Sequence, residues 1–180
     1  MSPFSVIEQI PVADSFKSLL TDGISLREIV PGDYGFLRSI YRSTRNDIQN
    51  SSIDPRSKAL VLNQQFQSQN NQFRTDYPNA IYSIICKFGQ AAGCLYIDFG
   101  DTEVRLVDMT LAQEFQRQGI GRQLLKNLQR VALQQKLPLR LRIASEHDGL
   151  RWCKKLGFET VGNDSTHCHL EWDSIDRVTI

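Results

Sequence analysis

Apolar positions in the first half of the chain recur at the spacings of one strand and two helices. Residues 24–30 have the pattern of a strand, and Pro31 begins a helix directly after it. A second helix is predicted from Pro55 to Tyr77, where a following proline ends it. The apolar residues of these helices step by one, three or four, as one helix face requires: Phe36, Leu37, Ile40 and Tyr41 in the first, Leu62, Phe66 and Phe73 in the second.

The middle of the chain contains three strand-like segments at residues 80–88, 92–99 and 104–111. Short turns around Gly89 and Gly100 join them, and these turns are too short for a crossover between parallel strands. The three segments are therefore predicted to form an antiparallel meander.

The pattern changes after the meander. Residues 121–135 form an amphipathic helix, and residues 137–143 alternate strictly between leucine or isoleucine and polar or proline residues. A strand, a helix and a strand of these lengths predict a βαβ unit with parallel strands. A short helix at 148–156, which Gly157 ends, and strands near 158–161 and 167–172 complete the chain.

These elements predict an α/β fold with one mixed sheet. An antiparallel N-terminal meander is followed by a central βαβ unit with parallel strands, and helices flank the sheet. We expect residues 1–22 to form an N-terminal arm or short helix, and residues 23–175 to form a single domain. A chain of 180 residues is long enough for one full hydrophobic core.

Composition narrows the classes of function. The net charge of +1 disfavours nucleic acid as a partner, because a nucleic-acid-binding domain usually has a basic excess. The four cysteines lack zinc-ligand spacing, and the chain has neither a signal-peptide pattern nor a run of about 20 apolar residues. We expect a reduced, soluble, cytoplasmic protein that binds no metal and no membrane.

The most informative segment is Gln116-Arg117-Gln118-Gly119-Ile120-Gly121-Arg122, which precedes the amphipathic helix. Two glycines let the backbone approach a large anion, and the helix directs its first N–H groups towards the same point. A glycine-rich turn that only caps the helix is the alternative interpretation. A dinucleotide fingerprint requires Gly or Ala where Leu124 stands, and a nucleoside-triphosphate loop requires Gly-Lys-Ser/Thr, which is missing.

The segment Gln116-x-x-Gly119-x-Gly121 resembles the cofactor motif of the GCN5-related N-acetyltransferases, the GNAT family. Leu156-Gly157-Phe158-Glu159 resembles the family's last helix end, and the order of elements agrees over residues 24–173. Further short motifs are similar to an uncharacterised bacterial subgroup.

The resemblance implies acetyl-CoA as co-substrate, with its pyrophosphate on the loop formed by Gln116, Arg117, Gln118, Gly119, Ile120, Gly121 and Arg122. It also implies that the pantetheine arm lies along Met109, Thr110 and Leu111. His147 stands where the family often has an asparagine that contacts the cofactor, so His147 either contacts CoA or only caps the following helix. An amide near Leu111 would then stabilise the oxyanion of the tetrahedral intermediate.

Several residues are candidates for catalysis. Asp108, Glu103 and Glu146 are candidate bases, and Asp108 ranks first because it interrupts the apolar run of the active strand. Tyr41 and Tyr96 are candidate residues of the pocket wall. Cys153 stands where the family has a tyrosine that protonates the departing thiolate, and it is either a replacement acid or a buried apolar residue.

The implied reaction is direct attack of a primary amine, from a small molecule or a protein, on the thioester. Gln65, Gln69 and Arg45 are the candidate polar residues on the acceptor side. The alternatives are an acyl-CoA-binding module with little or no catalysis, and a toxin that acetylates aminoacyl-tRNA. A homodimer is an open possibility.

Overall fold

A computed structural model describes residues 11–173 of the chain. The helices are α1 (Val12–Ser18), α2 (Tyr34–Ser43), α3 (Asn46–Gln49), α4 (Pro55–Asp76), α5 (Ile120–Gln135) and α6 (Gly149–Lys155). The strands are β1 (Ile24–Glu28), β2 (Ile81–Lys87), β3 (Gln90–Phe99), β4 (Val104–Leu111), β5 (Leu139–Ala144), β6 (Glu159–Asn163) and β7 (His167–Trp172). Single 3₁₀ turns lie at Pro31–Asp33 and Gln113–Phe115.

The sheet has the order β1-β2-β3-β4-β5-β7-β6. Strands β1 to β4 pair antiparallel with their neighbours, β5 pairs parallel with β4, and β7 inserts antiparallel between β5 and β6. The predicted mixed sheet, with a meander first and a parallel pair at its centre, is confirmed.

The structure differs from the prediction at two local points. Strand β1 ends at Glu28 rather than at Val30, because Asp33 accepts hydrogen bonds from the Val30 amide at 2.9 Å and from the Arg27 guanidinium at 2.7 Å, turning the chain into α2. The one-turn helix α3 was not predicted, since four residues are too few to show a helical period.

Helices cover both faces of the sheet. Helices α1 and α5 lie on one face, where the Phe16 and Phe99 rings are 6.3 Å apart and leucines of α5 are fully buried. Helices α2 and α4 lie on the other face, where Phe73 packs edge-on against Tyr96 at 6.1 Å.

Part of the predicted N-terminal arm belongs to this core. The side chain of Phe16 in α1 is 1% exposed, and the Asn127 side chain in α5 donates to the carbonyl oxygen of Leu19 at 2.8 Å. Residues 1–10, 174 and 175 lie outside the described part of the chain, so the boundary near residue 22 stays a prediction.

The parallel pairing of β4 and β5 is short. It consists of three residue pairs, from Val104–Leu139 to Leu106–Leu141, and the remaining residues of both strands have no register with each other. The sheet therefore opens between the C-terminal ends of β4 and β5.

Strand β4 contains a bulge where this opening begins. Tyr96 of β3 is opposite Asp108, whereas the next residue, Ile97, is opposite Leu106, so Val107 is an extra residue in β4. Because side chains alternate along a strand, Asp108 lies on the same face as Tyr96 and Cys94, the face covered by α4.

Candidate active site

A cavity of about 840 Å³ occupies the opening between β4 and β5. Both strands contribute to its wall, at residues 106–110 and 141–144. Helices on both faces of the sheet also contribute, because Phe66 of α4 and Leu125 of α5 line the same cavity. The cavity therefore runs through the sheet and offers space for two reactants.

The edge of β4 that faces the opening presents backbone groups that do not bond to β3. The Ala112 amide donates to the Ala92 carbonyl of β3 at 2.9 Å, so by alternation the amides of Met109 and Leu111 point away from β3. The Gln116 side chain donates to the Leu111 carbonyl at 2.9 Å. The motif glutamine thus holds this strand end, and the Leu111 amide stays available to polarise a carbonyl group.

The loop before α5 has the geometry of an anion site. Arg117 and Gly119 adopt left-handed backbone angles, with φ of 59° and 82°, which turn the chain sharply into the helix. Within residues 11–173, the amides of residues 117–122 donate to no backbone carbonyl. Unpaired amides at a helix N-terminus suit the pyrophosphate of CoA.

The same loop packs closely on the strand. A β-carbon at Gly121 would lie 3.6 Å from the Met109 side chain and 3.9 Å from Trp152. The seven loop residues are not part of the cavity wall, so the loop lies outside the cavity, which we call the chamber.

Asp108 is a carboxyl group on the wall of the chamber. Burial raises its pKa from 3.8 to about 6, although hydrogen bonds from the Cys94 thiol and the Met109 amide oppose that rise. Asp108 also lines a second cavity of about 250 Å³, beside α4. A carboxyl group with this pKa, at the meeting point of two cavities, is well placed to accept a proton near neutral pH.

The other two candidate bases differ in their surroundings. The Glu103 carboxylate forms ion pairs at 2.7 Å with both Arg105 and Arg140, and although burial raises its pKa, these bonds lower it overall. Glu103 therefore joins β4 to β5 and is not free to act as a base. Glu146 is exposed and lies on the chamber wall.

Cys153 and His147 approach the chamber from α6 and the loop before it. Cys153 is 3% exposed, and burial raises the pKa of its thiol to about 11. His147 accepts a hydrogen bond at its Nδ1 from the Gly149 amide at 2.9 Å, so it caps α6 while lining the chamber.

A polar network built on Arg45 lies at the end of the chamber beside α2 and α4. Its guanidinium donates to the Tyr41 hydroxyl at 2.8 Å and to Gln65 Oε1 at 2.6 Å, and it forms a two-point ion pair with Asp47. Arg45, Tyr41 and Asp47 line the chamber, as does Gln69, which also lines the smaller cavity.

Several wall residues were not predicted from the sequence. Cys94, Arg142, Trp152 and His167 lie on the chamber wall, and Arg142 and His167 also line the smaller cavity. They come from four different elements, β3, β5, α6 and β7. Strand alternation is the sequence signal that bears on the orientation of Arg142 and His167.

Residues 78–160 match the family model described as an acetyltransferase (GNAT) domain. The fold is similar to the PaiA N-acetyltransferase of Thermoplasma acidophilum in complex with coenzyme A, with a TM-score of 0.60 at 13% identity over 83% of this chain and 98% of that one. A GNAT family acetyltransferase of Elizabethkingia anophelis with acetyl-CoA bound gives a TM-score of 0.55 at 16% identity, over 85% and 99%.

A third similar structure, Ard1 of Thermoplasma volcanium, gives a TM-score of 0.56 at 18% identity, over 84% of this chain and 97% of that one. No curated protein sequence matches the chain. The family match over residues 78–160 and the similarity of the structures agree: the chain has the fold of the GNAT acetyltransferases.

Two further findings concern residues 11–173. No helix in this part of the chain is both long and apolar enough to cross a membrane. No group of three or more His, Cys, Asp or Glu side chains in it is arranged to hold a metal ion.

Proposed function

We propose that the protein transfers an acetyl group from acetyl-CoA to a primary amine of a small molecule or a protein. The observation that carries this proposal is the opening of the sheet after Leu106 and Leu141, directly beside a loop with unpaired amides. The loop suits the pyrophosphate, and the edge of β4 at Leu111 suits an amide group of a pantetheine arm.

This placement would bring the acetyl group into the chamber near Leu111 and Asp108. The Leu111 amide would donate to the thioester oxygen as it becomes negatively charged. Asp108, ionised above about pH 6, would accept a proton from the attacking nitrogen. The C–S bond then breaks, and the thiolate leaves.

A separate acid for the thiolate is not part of this proposal. A thiol whose pKa is raised to about 11 holds its proton more tightly than a CoA thiol does, so Cys153 is a poor donor to the leaving group. We assign Cys153 a packing role and leave the thiolate to be protonated from Asp108 or water.

The cofactor site is tested by following the melting temperature while acetyl-CoA, CoA and NADH are added separately. A ligand that binds only the folded state raises this temperature as its concentration passes the dissociation constant. We expect stabilisation by both CoA compounds and none by NADH. A folded protein that saturating acetyl-CoA does not stabilise would refute the proposal.

An amine screen that detects free CoA then tests the transfer. We further propose a cytoplasmic location, supported by the four cysteines, all of which are free thiols in the structure.

A further inference from the structure

His167 stands where the two cavities meet, at the first residue of β7. It lines both the chamber and the smaller cavity, as Asp108 does. Its side chain is 40% exposed, so its ring is open to solvent as well as to the cavities. It pairs with Ala144, at the end of β5 that borders the opening. A titratable ring is therefore present on the opposite side of the opening from β4.

In the turn before β7, one carboxylate accepts several hydrogen bonds. Asp164 accepts from the amides of Thr166 and His167 at 2.9 and 2.8 Å, and from Arg142 at 2.8 Å. His169 Nε2 lies 3.1 Å from the same carboxylate. These bonds, the Thr166 amide first, hold the pKa of Asp164 well below its ordinary range, so it is ionised at neutral pH.

This charge fixes the hydroxyl of Thr166 and, through it, the ring of His167. Thr166 Oγ1 lies 3.1 Å from Asp164 Oδ1 and 2.7 Å from His167 Nδ1. A hydroxyl has one proton, and the bond to a carboxylate is the stronger one. Thr166 therefore donates to Asp164 and accepts from His167, which places the ring proton on Nδ1 and leaves Nε2 with a free lone pair.

We propose that His167 Nε2 removes the first proton from the ammonium group of the acceptor, and that Asp164 and Thr166 are positioning residues for its ring. This inference rests on the proposed acetyl transfer. An alkyl amine arrives as an ammonium ion and must lose two protons on the way to an amide, so two proton acceptors on opposite sides of the opening match the chemistry.

The protons balance as follows. R–NH₃⁺ gives one proton to His167 Nε2, which releases it to water, and the free lone pair attacks the thioester carbon. The C–N bond forms, the C–S bond breaks, and the second proton passes from nitrogen to Asp108 and then to the CoA thiolate. The sum is R–NH₃⁺ plus acetyl-CoA giving the acetamide, CoA and one released proton.

Charged groups of both signs surround His167. Asp108 and Arg105 face it from β4, Arg142 from β5 and Asp76 from α4, where they line the shared cavity walls. Glu146 and His147 line the chamber, and Asp164 and His169 lie in and after its own turn. Arg105 and Arg142 are ion-paired with Glu103 and Asp164, so no arginine of this group is an isolated charge beside the ring.

The first test is the tautomer of each histidine in the free protein, read from nitrogen-15 NMR at pH above neutrality. The chain has three histidines, and single His→Gln variants assign the signals. We expect the proton of His167 on Nδ1 and that of His169 on Nε2. A proton on Nε2 of His167 would overturn the proposal, because the lone pair would then be on Nδ1, where it accepts from Thr166 within the turn.

The second test compares His167→Gln with the unmodified protein on two amines. With 2-phenylethylamine, an ammonium ion at pH 7, we expect kcat/KM to fall at least about tenfold. With hydroxylamine, which is already unprotonated at pH 7, we expect less than about a twofold change. Equal losses on both amines, or no loss on either, would overturn the proposal.

Two further variants separate proton transfer from a structural role. Added imidazole should restore turnover of 2-phenylethylamine by His167→Ala, which a packing defect would not allow. Thr166→Val should lower kcat/KM for this amine, and Thr166→Ser, which keeps the hydroxyl, should not. The acetyl-CoA melting shift should stay unchanged in all of these variants, so loss of that shift in the unmodified protein identifies failure of the proposed function instead.

Discussion

The Cys94 thiol lies 3.6 Å from the carboxylate oxygen Oδ2 of Asp108, on the neighbouring strand. Both side chains line the chamber, and the thiol donates towards the carboxylate. This contact opposes burial, which raises the pKa of Asp108 to about 6. The pH at which the proposed base becomes ionised therefore depends on a cysteine that takes no part in the reaction itself.

Replacing that cysteine should move the pH dependence. In Cys94→Ala the ionised form of Asp108 loses a hydrogen bond, so its pKa rises further and the acidic limb of kcat/KM moves to higher pH. Activity near pH 6 should fall while activity at pH 8 changes little. Cys94→Ser is the matched control, since its hydroxyl keeps a donor, and an unmoved limb in Cys94→Ala would contradict the tuning role.

Removing the carboxylate should remove that limb altogether. Asp108→Asn keeps the size of the side chain but cannot accept a proton, so we expect kcat/KM to fall about a hundredfold or more. Rates measured from pH 5 to 9 would check this, together with acetyl-CoA affinity, which should hold. Glu103→Gln is the comparison. A larger loss of kcat/KM in that variant would mean that Glu103, and not Asp108, is the base.

The same substitution should stabilise the fold at neutral pH. The pKa of Asp108 is about 6 in the folded protein against an ordinary 3.8, so ionisation in the folded state is unfavourable. The stability that comes from keeping Asp108 protonated is fully present below about pH 4 and is lost as the pH rises through 6. Asp108→Asn has no carboxyl group to ionise, so its free energy of unfolding at neutral pH should exceed that of the unmodified protein by up to roughly 3 kcal/mol.

Urea unfolding at pH 4 and pH 7.5 measures this effect. The free energy of unfolding of Asp108→Asn should exceed that of the unmodified protein at pH 7.5, and the difference should nearly vanish at pH 4. A constant difference at both pH values would mean that the carboxyl group is not destabilised by burial.

Two glycines allow the loop to be tested against a control of the same geometry. Gly119 and Gly89 both have φ of 82°, and a β-carbon at either would meet no atom within 4 Å. An alanine should therefore cost each site about 1–2 kcal/mol of folding free energy from backbone strain alone. We expect only Gly119→Ala to weaken acetyl-CoA binding, measured by calorimetry. Equal weakening by Gly89→Ala would show that the loss is general destabilisation.

Cys153 should prove dispensable for turnover. Its buried thiol has a pKa raised to about 11, so it is a weak proton donor, and Cys153→Ala should retain kcat within about threefold. The variant should instead lower the melting temperature slightly, as removal of one buried sulfur does. A loss of two orders of magnitude in kcat, at unchanged acetyl-CoA affinity, would mean that the Cys153 thiol does protonate the CoA thiolate.

The sequence predicted most of the sheet and the glycine-rich turn before α5 because both depend on local patterns. The alternation in β5, the apolar face of α5 and the two glycines at 119 and 121 each lie within one short segment. The end of β1 escaped prediction because it depends on a contact between Arg27 and Asp33, which spacing does not reveal.

The inner chamber was predictable only in part for the same reason. Asp108 stood out as a charge in an apolar strand, but its contact with Cys94 requires the register of β3 against β4. No sequence pattern indicated the proposed role of His167, since that role depends on a turn at Asp164 and on a cavity between strands far apart in the sequence. Register and turn geometry are set by the whole fold.

The extra residue in β4 acts as a phase shift. Before Val107, the residues at 104 and 106 place their side chains on the α5 face, whereas after it the odd-numbered residues do so. Without that shift, Asp108 would point towards the apolar core beneath α5, and the amides of Met109 and Leu111 would point into β3. The bulge at Val107 thus keeps the proposed base on one face of the opening and the oxyanion donor at its edge. A regular pairing that retained Val107 would put both out of phase together, while leaving every chemical group of the site in the sequence.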